Sequence, residues 1–134
     1  MPLRILIVDD ATTARLFAQK CLANIGFHDA DFVQAVHGRD ALVKIREMPP
    51  DLILTDLMMP EMDGESLLRE IKADPSLQHI PVVVVSSAGN IARKDALLTM
   101  GALNVVAKPF STAELFDVLK TFLKEEDEDD GWGE

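Results

Sequence analysis

Leu52-Ile53-Leu54-Thr55-Asp56-Leu57-Met58-Met59-Pro60-Glu61-Met62-Asp63-Gly64 is the stretch that decides the fold. Leu52 to Thr55 is a short, mostly branched apolar run of the kind expected of a strand buried on both faces. It ends in an acid, Asp56. The turn-rich segment Pro60 to Gly64 then leads into a helix that carries Leu67, Leu68 and Ile71 on one face and stops near Asp74 and Pro75.

The same strand-then-helix pattern recurs in both directions along the chain, five times in all. Toward the amino terminus, Ile5 to Val8 is the first strand, and Ala14, Phe17, Ala18, Cys21, Leu22 and Ile25 follow at helical spacing until Gly26 ends the helix. Phe32 to Val36 reads as the second strand. Gly38 to Met48 is a helix with Ala41, Leu42 and Ile45 inward, stopped by Pro49 and Pro50. Toward the carboxyl terminus, Val82 to Val85 is the strongest strand signal, followed by a helix from about Asn90 to Met100 that Gly101 closes. Leu103 to Ala107 is the fifth strand. Ser111 and Glu114 have the spacing of a capping box at the head of a last helix with Leu115, Val118, Leu119 and Phe122. The expectation is an α/β domain over residues 1–124.

A chain of 134 residues suits one domain, large enough to bury roughly two thirds of the surface its unfolded form exposes. Hydrophobic residues make up 48% and charged residues 27%, as in an ordinary globular protein. No apolar stretch approaches the roughly 20 residues of a membrane span and no basic leader opens the chain, so a cytoplasmic location is expected. Cys21 stands alone, which excludes an internal disulfide framework. The formal net charge is -10, and Glu125, Glu126, Asp127, Glu128, Asp129, Asp130 and Glu134 concentrate much of it in the last ten residues. Direct binding of nucleic acid is disfavoured, because phosphate backbones are held by clustered Lys and Arg. Residues 125–134 are expected to be a disordered acidic tail, in which the lone Trp132 among acids resembles a short linear docking motif.

In open parallel sheets the reactive groups collect outside the carboxyl ends of the strands. There this sequence puts Asp9 and Asp10 after the first strand, Asp56 after the third, Ser86 and Ser87 after the fourth, and Lys108 with Pro109 after the fifth. Clustered carboxylates raise one another's pKa values unless a cation sits among them, which implies a divalent metal. Oxygen donors without His or Cys suit Mg²⁺. Phosphoryl transfer asks mainly for a nucleophile and for cations or donors around the phosphoryl oxygens. Asp56 can be that nucleophile, with Lys108 and the Ser86 hydroxyl on two oxygens and a metal held by Asp10 and Asp56 on the third.

From about Leu3 to Lys124 these residues resemble the receiver domains of two-component response regulators. The resemblance rests on the Asp9-Asp10 pair, on Asp56 with Pro60, Met62, Asp63 and Gly64 downstream, on the hydroxyl after Pro81 and four valines, and on Lys108-Pro109-Phe110. It implies a doubly wound, flavodoxin-like, five-stranded parallel sheet of order 2-1-3-4-5 with helices on both faces. It further implies that Asp56 is phosphorylated from a phosphohistidine of a sensor histidine kinase or histidine phosphotransfer protein. Mg²⁺ would be bound by Asp10, by Asp9 largely through water, by Asp56 and by the backbone carbonyl of Met58. Ser86 and Lys108 would carry the switch, the Lys108–Pro109 bond would be cis, and a downstream protein would read the surface of helix 4, strand 5 and helix 5. Val105 stands where the family often has an aromatic switch residue. Met58 and Ala88 flank the phosphoryl group in the family, and neither can orient a water, which implies slow dephosphorylation.

The expected function is a signalling switch that assists its own phosphorylation, not an enzyme with turnover, in a chain with no room for an effector domain. Two other functions compete. A receiver-like binding module that works without phosphorylation is suggested by Val105. A Mg²⁺-dependent phosphohydrolase is opposed by Met58, where that class wants a second Asp.

Overall fold

The structure, a computed structural model, describes residues 3–131, with the side chains of residues 88, 91, 121 and 123–131 left out of the account. Five strands, β1 (Arg4–Val8), β2 (Asp31–Ala35), β3 (Leu52–Asp56), β4 (Val82–Ser87) and β5 (Asn104–Lys108), form one sheet in the order β2-β1-β3-β4-β5. All four pairings are parallel. This is the doubly wound arrangement that the apolar runs and the family resemblance predict.

Each strand must return to the same edge, so a helix crosses a face of the sheet after every strand. The helices are α1 (Thr12–Leu22), α2 (Gly38–Glu47), α3 (Gly64–Ala73), α4 (Lys94–Thr99) and α5 (Thr112–Gly131). Alternation along the strands divides the apolar residues between two cores. Leu6, Val8, Ile53, Val82, Val84 and Val105 face α2, α3 and α4, whereas Ile5, Ile7, Leu52, Leu54, Val83, Val85 and Val106 face α1 and α5. Burying a Leu, Ile or Val side chain contributes about 1.5–3 kcal/mol, so the sheet's rigidity comes from both sides.

Several ends are set by side chains. Ser111 and Glu114 form the reciprocal capping box at α5: the Ser111 amide donates to Glu114 Oε1 at 2.9 Å, and the Glu114 amide donates to Ser111 Oγ at 3.1 Å. Asp63 caps α3 by accepting from the Ser66 amide, and His37 caps α2 through Nδ1. The first helix ends in a π-type turn over Ala23–Phe27 in which Gly26 takes φ 132°, a conformation that favours glycine.

Three differences from the sequence reading have physical causes. The fourth helix does not begin at Asn90: Ala88–Arg93 is a 3₁₀ segment, and α4 proper starts at Lys94. Gly89 and Asn90 are poor helix formers, and the Asn90 amide turns back to the Ser87 hydroxyl at 3.1 Å. Phe17, expected inside, is 49% exposed and packs its ring on Phe110 with centroids 5.4 Å apart. Lastly, α5 does not stop at Lys124: its backbone stays helical through residues 125–131, since extending a docked helix needs no new nucleus and Glu is a good helix former. Trp132, with residues 133 and 134, lies outside the described residues. Among those described, no helix is long and apolar enough to cross a membrane.

The loop from β3 to α3 is pressed against the sheet edge. A Cβ on Gly64 would lie 2.2 Å from the Asp56 carbonyl oxygen and 3.0 Å from the Leu57 Cα, and both neighbours are backbone. Gly64→Ala is therefore expected to lower stability by about 1–3 kcal/mol, as overpacking a rigid site does, measured by urea unfolding. Wild-type stability in this variant would show that the loop can step back from Asp56.

Candidate functional site

The carboxyl edge of β1 and β3 brings three acids together. Asp9, Asp10 and Asp56 each offer a carboxylate oxygen, and these oxygens lie within 4.8 Å of one another. Parallel register explains the meeting: Val8 pairs with Thr55, so the residues that follow, Asp9 and Asp56, leave the sheet side by side. Asp9 is buried, Asp56 half-buried and Asp10 exposed. The Asp56 main chain is fixed from several sides. The buried Thr55 hydroxyl donates to its carbonyl at 3.0 Å, and the Leu57 amide just beyond it donates to the Val85 carbonyl at 2.9 Å.

Lys108, from the far edge strand, reaches into the cluster. Its Nζ donates to Asp9 Oδ2 at 3.0 Å and lies 3.2 Å from Asp56 Oδ1. The bond that follows it, Lys108–Pro109, is cis. Burial lifts the Asp56 carboxyl above its ordinary value, the Asp9 charge lifts it further, and the pull of Lys108 does not offset the two. For Lys108, burial favours the neutral amine, but the hydrogen bond to Asp9 and the field of Asp56 outweigh it and raise its pKa. Lys108 thus stays a cation and serves both acids.

The other residues singled out in the sequence fall at varying distances from this centre. Ser86 is fully buried at the end of β4, and its hydroxyl donates to the Ser87 carbonyl at 3.2 Å rather than to an acid. Val105 is 4% exposed and belongs to the core beneath α2, α3 and α4, so it shares a strand with Lys108 but not its surroundings. Met58, two residues past Asp56, is 60% exposed. The Ala88 side chain lies outside the described part.

Sequence reading overlooked two features. One is Arg15, buried on α1, whose Nη1 donates to the Asp9 carbonyl at 2.7 Å. A signal existed: Arg15, Ala18 and Leu22 fall on one helix face, which is an odd position for a cation. The other is a cleft of about 430 Å³ between α1 and the β5–α5 turn, lined by Thr13, Ala14, Phe17, Leu54 and Phe110, with Asp9, Asp56 and Lys108 also in its wall. No periodicity announces a cleft.

Oxygen-only donors converging in this way fit a hard divalent cation such as Mg²⁺. The cluster can hold a cation, present Asp56 as a nucleophile and meet an incoming anion with Lys108.

Comparison with known proteins agrees with the geometry. The family model for the response regulator receiver domain matches residues 5–120. The chain is 33% identical over 118 residues to the protein PilG of Pseudomonas aeruginosa, covering 88% of this chain and 85% of that one. It is also 33% identical over 122 residues to the chemotaxis protein CheY of Thermotoga maritima, covering 90% and 98% respectively. Among solved structures, the receiver domain of NtrX from Brucella abortus superposes with a TM-score of 0.78 at 30% identity, covering 90% of this chain and 98% of that one.

The raised Asp56 pKa has a consequence for stability. Because the folded value lies above the ordinary carboxylate value that the unfolded chain has, the folded chain binds more protons than the unfolded chain between the two, and stability falls as pH rises through that window. The full penalty is present above the folded pKa. In Mg²⁺-free buffer Asp56→Asn is expected to melt at a higher temperature than wild type at neutral pH, with the gain shrinking as pH falls through the window. Thermal melts across the acid range check this, and a lower Tm for Asp56→Asn at neutrality would contradict it.

Proposed function

The chain belongs to the response regulator receiver domain family of two-component signalling, and on that premise we propose that Asp56 accepts a phosphoryl group from a phosphohistidine of a sensor kinase or histidine phosphotransfer protein. The observation that carries the reading is the Lys108 ammonium set between Asp9 and Asp56 at the edge of a three-acid cluster. A structural ion pair needs one acid. Two acids sharing one lysine, with a third beside them, suit a site that takes up further positive charge and then an anion.

In the transfer, an Asp56 carboxylate oxygen forms a bond to phosphorus as the donor's N–P bond breaks, and the electron pair leaves with the imidazole, which takes a proton from solvent. Asp56 must be ionised to attack, and Lys108 favours that form. Lys108 then turns from the acids to one phosphoryl oxygen. Ser86, whose hydroxyl exchanges its Ser87 carbonyl partner for a second oxygen, moves with it. Asp9, Asp10, Asp56 and the Met58 carbonyl would hold Mg²⁺, which supplies neutralising charge to the phosphoryl group.

The proposed readout is by protein contact. Leu98 on α4, Leu103 just before β5 and Phe116 on α5 are large apolar side chains exposed on neighbouring elements, which supports a partner protein on that surface. Movement of Ser86 and Lys108, at the ends of β4 and β5, would bias that surface. We assign the switch to residues 1–124 and leave the acidic run 125–134 outside it, with no direct role for nucleic acid. Slow loss of the phosphoryl group belongs to the same proposal, since the exposed Met58 side chain cannot orient a water.

Incubation with Mg²⁺ and a small acyl phosphate, followed by intact mass, tests the acceptor. One phosphoryl group is expected on wild type and none on Asp56→Asn, and equal labelling of both would overturn the assignment. Lys108→Gln is expected to slow phosphorylation by about a hundredfold, the scale of losing one preset donor to a developing charge.

A further inference from the structure

Asp9 is held on four sides. Its amide donates to the Ala35 carbonyl at 3.1 Å, its Oδ1 accepts from the Ala11 amide at 3.0 Å, its Oδ2 accepts from Lys108 at 3.0 Å, and its carbonyl accepts from Arg15 Nη1 at 2.7 Å. Two of these partners are backbone, and a third, Lys108, is the group proposed to leave. The fourth is a buried arginine.

Arg15 is itself braced. Its Nε donates to Gln34 Oε1 at 2.7 Å and its Nη2 to Thr12 Oγ1 at 3.2 Å. Gln34 is fixed in turn, since its side-chain amide donates to Gln19 at 3.3 Å and its backbone carbonyl accepts from Lys44 at 2.5 Å. The three hydrogen bonds of Arg15 all end on neutral oxygens. A guanidinium taken out of water usually meets a carboxylate, because neutral acceptors return little of the desolvation loss. Here the charge is instead placed behind the residue that supplies one of the clustered acids, and the rigid fork ties α1, the end of β1 and edge strand β2 to one carbonyl.

We propose that Arg15 is a positioning residue of the cation site: by gripping the Asp9 carbonyl from behind, it sets the aim of the Asp9 and Asp10 carboxylates independently of Lys108. When Lys108 turns to the phosphoryl group, Asp9 keeps its place through Arg15 and Ala11. The inference rests on the reading that these acids hold Mg²⁺. Partners one step behind a metal ligand alter affinity by about 10- to 100-fold when removed.

The test uses the full chain and two variants. Arg15→Lys keeps the charge but cannot span three acceptors, and Arg15→Met keeps neither charge nor donors. Mg²⁺ affinity is measured by calorimetric titration without phosphodonor, and exchange of the Ala11 amide is followed by NMR in Mg²⁺-free protein. Expected are a dissociation constant about tenfold weaker in Arg15→Met, several-fold weaker in Arg15→Lys, and faster Ala11 exchange in both while the variants remain folded. Unchanged affinity in both would reduce Arg15 to a packing residue, and tighter binding in Arg15→Met would mean that it acts only as a nearby positive charge. Either result overturns the proposal. If Arg15→Met does not fold, Arg15→Lys decides alone. Wild type that takes up no Mg²⁺ overturns the cation site and this inference together, whereas wild type that binds beside variants that bind equally well overturns the role of Arg15 only.

Discussion

The Lys108 ammonium stands 3.0 Å from an Asp9 oxygen and 3.2 Å from an Asp56 oxygen, so one cation holds two acids that would otherwise repel across the end of the sheet. Few arrangements allow this. The acids must leave adjacent strands in the same direction, which requires β1 and β3 to be parallel neighbours. The lysine must cross from β5 over the end of β4, which is possible because that strand finishes in small hydroxyl residues. The strand order, the short polar ends of the strands and the close approach of Gly64 to the Asp56 carbonyl all serve this one contact.

Two cores make the contact rigid. Because each strand of the sheet's interior is apolar toward both faces, helices pack on both sides and the carboxyl edge has little room to move. The 3₁₀ segment Ala88–Arg93 follows β4 directly, and its last residue, Arg93, is ion-paired with Glu65 on α3. Under the proposed function that segment is where a change at Ser86 would be felt first. Val105 belongs to the core on the side of the sheet that faces α2, α3 and α4.

Much of the fold was legible in the sequence because its signals are local. Runs such as Val82 to Val85 have no comfortable conformation except a doubly buried strand, and Ser111 with Glu114 satisfies amides within one helical turn. Element ends were less legible. Gly89 and Asn90 loosen the start of the fourth helix, and α5 runs past Lys124 because continuing a helix needs only backbone hydrogen bonds. Phe17 satisfied the apolar spacing of α1 yet stands half-exposed beside Phe110, since spacing gives a residue's face and not what the neighbouring loop leaves uncovered.

Taken alone, the sequence determined which residues lie at strand ends, because hydrophobic period and turn chemistry are properties of neighbours in the chain. It therefore pointed to Asp9, Asp10, Asp56, Ser86 and Lys108 as a set. Only the tertiary structure decided how that set is wired. It gave Lys108 to Asp9 and Asp56, turned the Ser86 hydroxyl to its own backbone, and put a buried Arg15 behind the Asp9 carbonyl. Those choices depend on distances between residues as far apart as 99 positions, and on burial that strengthens or weakens each charge. Neither is written in any stretch of sequence read by itself.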